Sequence, residues 1–104
     1  MPIATGNVTT AAAAVYTSSG NTGVTFVSLC NYSAANVTAN VFVVPSAGTA
    51  GNLNLVISSI LITANDTYQL YAGSEKLVLS NGDTIQANAS ADNSVATVTS
   101  FTSF

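Results

Sequence analysis

Short apolar runs separated by turn residues make up this chain, and no segment carries an i, i+3, i+4, i+7 aliphatic face flanked by charges. Alternating runs rich in Val, Ile, Thr, Phe and Tyr predict strands. They fall at about 11–18, 23–31, 36–44, 53–63, 67–72, 75–80, 83–90 and 95–103. In "NVTANVFVV" the period of two sets Val37, Ala39, Val41 and Val43 on one face and Thr38, Asn40 and Phe42 on the other. In "VTFVSL" the alternation is ambiguous. Val24, Phe26 and Ser28 oppose Thr25, Val27 and Leu29, as in a strand covered on both sides. The connectors "SSGNTG", "YSAA", "PSAGTAGN", "AND", "AGS" and "SADN" hold residues that adopt positive φ or bond their own backbone. About seven to eight short antiparallel strands with closely spaced turns predict an all-β fold, a single β-sandwich of Ig-like or jelly-roll-like type.

Gly and Pro cluster at no linker, and no fixed-period repeat is found, so residues 1–104 are read as one domain. Residues 1–10 are expected to form a loose, extended N-terminal arm. The ending "SFTSF" places Phe101 and Phe104 where an isolated domain buries apolar rings, which makes both candidate interface residues, docking on this core or on a neighbour's.

The apolar share, 48%, is ordinary, but charged residues are only 5%, against roughly 25% in soluble chains. Ser, Thr and Asn must cover the surface. A net charge of −3 carried by so few ionised groups gives copies little mutual repulsion, so the chain is expected to live assembled. With Lys76 as its one basic residue and no His, it has nothing with which to neutralise a phosphate backbone or an anionic headgroup. No nucleic-acid or acidic-membrane partner is expected. The longest apolar stretch, "LNLVISSILITA", is too short and too interrupted to cross a bilayer as a helix. The start lacks the basic and sustained apolar regions of a secretory signal, so synthesis in a cytoplasm without ordinary export is expected. Sequons occur at Asn7, Asn31, Asn36, Asn65 and Asn88, as a chain rich in Asn, Ser and Thr generates by chance. Cys30 is the single cysteine, so it forms no internal disulfide and is read as a small buried residue.

Acid–base chemistry is left to Asp66, Glu75, Asp83, Asp92, Lys76 and the tyrosines. A carboxylate pair for glycoside hydrolysis lacks the usual Trp platform, and serine nucleophiles lack a His base. Neither a G-x-S-x-G elbow nor a phosphate-binding G-x-x-x-x-G-K-[ST] loop is present. Calcium has oxygen donors in "AND", "NGD" and "ADN", but EF-hand spacing is missing and Asx residues populate turns for backbone reasons. No catalytic, cofactor or metal-binding residues are expected. A carbohydrate-binding module would rely on Tyr68 and Tyr71. On one strand those two point to opposite faces, which disfavours a shared platform.

The densest collection of carboxylates lies in "EKLVLSNGDTIQANASADNS". Asn81-Gly82 as a two-residue hairpin turn would put Leu77 and Leu79 opposite polar partners. A three-residue loop, Ser80-Asn81-Gly82, sets Leu77 opposite Ile85 with Gly82 in a left-handed bulge position. The alternative is a corner, where the chain leaves one sheet at Leu79 and enters the other at Ile85. In either case Asn81, Gly82 and Asp83 form a structural turn in which the Asp83 carboxylate accepts backbone N–H bonds.

The ending "KLVLSNGDTIQANASADNSVATVTSF", with its L-x-L-x-x-G-D-x-I-x-A-x-A-S run, resembles the C-terminal half of small β-sandwich proteins of tailed-bacteriophage virions. The passage "VSLCNYSAANVTANVFVVPSAG" is similar to their upstream half, and the two together cover most of residues 24–100. The resemblance implies a virion structural protein. Its implied role is capsid decoration or cement, bound across capsomers to the major capsid protein or other virion proteins, as a homo-oligomer with a trimer favoured. A neck, tail or baseplate component is the alternative. The family brings no catalytic residues, and Leu77, Leu79, Gly82, Asp83, Ile85, Ala87 and Ala89 would determine the fold.

Overall fold

The computed structural model of the chain describes residues 3–70, 77–92 and 94–103. Among them nine strands form two antiparallel sheets: β1 (Ile3–Val8), β2 (Ala13–Thr17), β3 (Thr22–Asn31), β4 (Val37–Val44), β5 (Leu55–Ile62), β6 (Thr67–Leu70), β7 (Leu77–Leu79), β8 (Thr84–Ala89) and β9 (Val95–Ser103). A single 3-10 turn, Asn52–Asn54, precedes β5. One sheet runs β1-β9-β3-β6, with β7 also on β3; the other runs β2-β8-β4-β5.

The pairs β1 with β9, β2 with β8, β3 with β6 and β7, and β4 with β5 are nested, first with last and inward. A long antiparallel hairpin rolled into two sheets gives this order, and it defines a jelly roll. Of the two sandwich types expected from sequence, the strand order selects this one. The ninth strand arises because the position facing β3 is filled by two short strands, β6 and β7.

The residues expected to share the inner face of β4 do so: Val37, Ala39 and Val41 are buried in the core, and Val43 packs against it. Phe42 and Val44 are also buried, although they belong to the opposite face. The 45–54 connection lies close to that face, since a Cβ on Gly48 would sit 3.2 Å from Val44 Cγ1. In β3 a register shift between Val24 and Phe26 explains the ambiguous alternation. The extra residue brings Val24 into phase with Val27 and Leu29, and all three are buried.

Two expectations are corrected. Within the expected arm of residues 1–10, Ile3–Val8 is not loose, because it pairs residue by residue with β9, from Ile3 opposite Ser100 to Val8 opposite Val95. The inward positions of β1 are Ala4, Gly6 and Val8, too small to raise an apolar alternation. A Cβ on Gly6 would lie 3.0 Å from Thr97 Oγ1 and 3.5 Å from Val15 Cβ, so the small residue fits the closure between the sheets. The three-residue hairpin is also absent: β7 pairs with β3 in one sheet and β8 with β2 and β4 in the other. The corner is the observed alternative. Leu79 and Ile85 are both buried, but they reach the core from opposite sheets, so a burial pattern alone did not distinguish the two arrangements.

Candidate functional site

At the corner the Asp83 carboxylate accepts N–H bonds from Ser46 at Oδ1 and from Ser80 at Oδ2, both at 2.9 Å. The Asp83 carbonyl accepts from the Ser18 N–H at 2.8 Å, and the Gly82 N–H donates to Ser18 O at 2.9 Å. Asn81 Oδ1 accepts from the Gly20 N–H at 2.8 Å. Two connections, β2–β3 and β4–β5, are thus tied to the four-residue turn that joins β7 to β8. Gly82 has φ +88°, and a Cβ there would stand 2.6 Å from Ser46 Oγ. Both the dihedral and the close approach call for glycine. With each carboxylate oxygen engaged by a backbone donor, Asp83 serves as a latch.

The other described acids are also engaged with backbone. Asp66 Oδ1 accepts from the Thr67 N–H at 2.8 Å, and Asp92 Oδ1 from the Thr10 N–H at 2.7 Å. Among the described residues no group of three or more His, Cys, Asp or Glu side chains is placed to hold a metal ion. Glu75 and Lys76 lie outside the described residues.

Asparagine takes over much of the tethering that charges perform elsewhere, a role the sequence reading missed. Asn31 is fully buried; its Nδ2 donates to Ala35 O and Ile62 O, and its Oδ1 accepts from the Ser33 N–H and Oγ–H. Asn36 Oδ1 accepts from the Ala64 N–H, and Asn40 Nδ2 donates to Asn88 Oδ1. Placement of Asn beside turns is the signal that could have found Asn31 and Asn36; Asn40 and Asn88 lie within β4 and β8 and are paired across them.

Phe101 is half-buried and lies on Tyr16 with ring centroids 4.5 Å apart and planes inclined by 36°. It packs against the chain's own core. Phe104 is outside the described residues. Tyr68 also packs against the core, while Tyr71 is outside the described residues, so the carbohydrate platform gains nothing from the geometry.

Among the described residues the exposed large apolar ones are Ile3, Tyr32, Leu53, Val56, Leu61 and Val78, and three of them fall together at one sheet edge. Leu53, Val56 and Leu61 are 104, 44 and 59% exposed, and the latter two belong to β5, the last strand of its sheet. Residues 1–65 contain no Asp, Glu, Lys, Arg or His. Edge strands are usually protected by charge or proline; β5 has neither. Sequence pattern identified this segment as apolar, but its position at an edge depends on strand order. The candidate functional feature is therefore this β5 edge, and no protein-family model, no curated protein and no solved structure matches the chain to assign it a role.

Proposed function

We propose that the chain is a structural protein of a tailed-phage virion, a decoration or cement subunit that binds across neighbouring capsid proteins as a small homo-oligomer. The observation that carries this reading is the surface: a sparsely charged sandwich with an apolar edge at β5 and the preceding Leu53, free of charge and proline and suited to contact with protein. The resemblance of residues 24–100 to virion β-sandwich proteins supplies the context. Cement works by burying area at many equivalent sites, where specific contacts commonly remove about 1,200–2,000 Å² and repetition multiplies modest affinities.

The test is to tag the chain, purify tailed particles from the cells that express it, and locate its density by electron microscopy. Density over the joints between capsid subunits is the expected result; density at the neck, tail or baseplate selects the alternative in the same class. Absence from particles overturns both. Because the contact is built without charge, capsid binding should change less than ~2-fold between low and moderate salt. A steep salt dependence would refute that account of the contact.

A further inference from the structure

Among the described residues β5 pairs with β4 on one flank and with no strand on the other. Its sequence, LVISSILI, has the same pattern read from either end: three aliphatic residues, two serines, three aliphatic residues. Contact between two copies about a two-fold axis requires this property, because residue i meets j while j meets i. With the axis between Ser58 and Ser59, Val56 meets Leu61 of the second copy and Ile57 meets Ile60; a second register shift, between Val41 and Phe42, sets Leu55 opposite Phe42 and ends the matched segment at Val56.

On a regular strand that register is forbidden. Each pair joins an even-numbered residue to an odd-numbered one, and such residues point to opposite faces, whereas antiparallel partners directly across share a face. The bulge in β5 removes the conflict. Where β4 has only Asn40 between Ala39 and Val41, β5 has Ser58 and Ser59 between Ile57 and Ile60. Ile57 and Ile60 consequently both pack on the core, while Val56 and Leu61 both lie on the exposed side. Ser59 sits at φ +52°, and its N–H is held by Asn40 Oδ1 at 2.7 Å, so the bulge is fastened from the neighbouring strand. A bulge commonly disrupts an edge; this one makes the edge self-complementary.

Charge points to the same occupant. A two-fold contact brings like groups together near its axis, and a strand without ionisable side chains meets its own copy with no repulsion. We propose that β5 is a self-association strand: two copies join antiparallel through it about an axis between Ser58 and Ser59, extending the four-stranded sheet to eight strands. The joint gives an even-numbered assembly in place of the trimer expected from sequence. It does not depend on the virion reading, since it forms in purified protein without a capsid.

Light scattering over a concentration series, with the full chain, tests it. The wild type should pass to twice the chain mass as concentration rises. Leu61→Lys, at an exposed position, should weaken association ~10-fold or more, with its circular dichroism unchanged and its melting unchanged at concentrations where both chains are monomeric. Adding Val56→Glu to the same chain should restore the dimer, since opposite charges then meet twice across the axis. In a Cys30→Ser background, oxidising a mixture of Val56→Cys and Leu61→Cys chains should favour the mixed disulfide over either homodimer. Residues directly opposite lie about 4.5–5.5 Å apart at Cα, within disulfide reach. A chain that stays monomeric, an assembly indifferent to Leu61→Lys, or cross-linking without preference for the mixed species would each overturn the proposal.

Discussion

Replacing Asp83 by Ala removes the acceptor for two backbone donors, Ser46 N–H and Ser80 N–H, each 2.9 Å from a carboxylate oxygen. Hydrogen bonds to a charged group contribute about 1.5–3 kcal/mol when desolvated, but these donors are near solvent and water replaces part of the loss. Loss of a local side-chain cap costs about 1 kcal/mol. Two such bonds, holding different connections, therefore set the expected destabilisation at about 1–2 kcal/mol. In a domain of this size that corresponds to a melting shift of about 4–16 °C. Urea unfolding followed by far-ultraviolet circular dichroism measures it, with an unchanged m-value showing that the two states compared are the same. Asp83→Asn should cost nearly as much, because its amide NH₂ faces one of the two donors. Self-association and partner binding should survive at temperatures where the variants are folded. Unchanged stability combined with lost binding would refute the latch and make Asp83 part of a contact site.

Gly82→Ala should destabilise by about 1–3 kcal/mol through its positive φ and the 2.6 Å approach to Ser46 Oγ; Ser46→Gly in the same chain should recover only the steric part, read by thermal melting. Asn31→Ala should cost about 2–4 kcal/mol, since it strips the amide donor from buried Ile62 O and leaves Ala35 O only the Ser33 hydroxyl. A loss below ~1 kcal/mol in denaturant titration would mean that water reaches those carbonyls. Thr99 is fully buried, and its Oγ1 has no partner among the described residues. Thr99→Val keeps the shape and removes the unpaired hydroxyl, so it should raise stability by about 1 kcal/mol; a lower midpoint would show that the hydroxyl is bonded, to an internal water for example.

The sequence carried the sandwich because β8 alternates cleanly and β4 does so from Val37 to Val41, with Val37, Ala39 and Val41 against Ile85, Ala87 and Ala89, all buried. It did not carry β1, whose inward Ala4 and Gly6 are selected by the tight closure near Thr97 and Val15, a contact between residues far apart in the chain. Nor did it decide how β7 meets β8. Leu79 and Ile85 satisfy the same burial requirement from one sheet or from two, and the choice rests on pairing with β3, β2 and β4. The Asp83 turn was legible because Asx-Gly-Asp chemistry is local; its second tether, Ser46, lies 37 residues away and was not.

The same distinction governs the proposed joint. The apolar content of LVISSILI is a property of the sequence, and so is its reversal symmetry, but symmetry in sequence does not make a strand self-complementary. On a regular strand, Val56 and Leu61 would point to opposite faces, and a two-fold pairing between the serines would set core-facing residues against exposed ones. The condition is met only because Asn40 on β4 opposes two residues of β5 and holds the Ser59 N–H. The proposed joint therefore depends on one polar side chain in the neighbouring strand, which would link the Asn-rich composition of the chain to the proposed assembly. Asn40→Ala is the variant in which that link fails. It removes the acceptor at Ser59 while leaving every aliphatic residue of β5 in place, so weakened dimerisation from that substitution, read by the same light scattering, would trace the joint to the geometry of the bulge instead of to apolar surface alone.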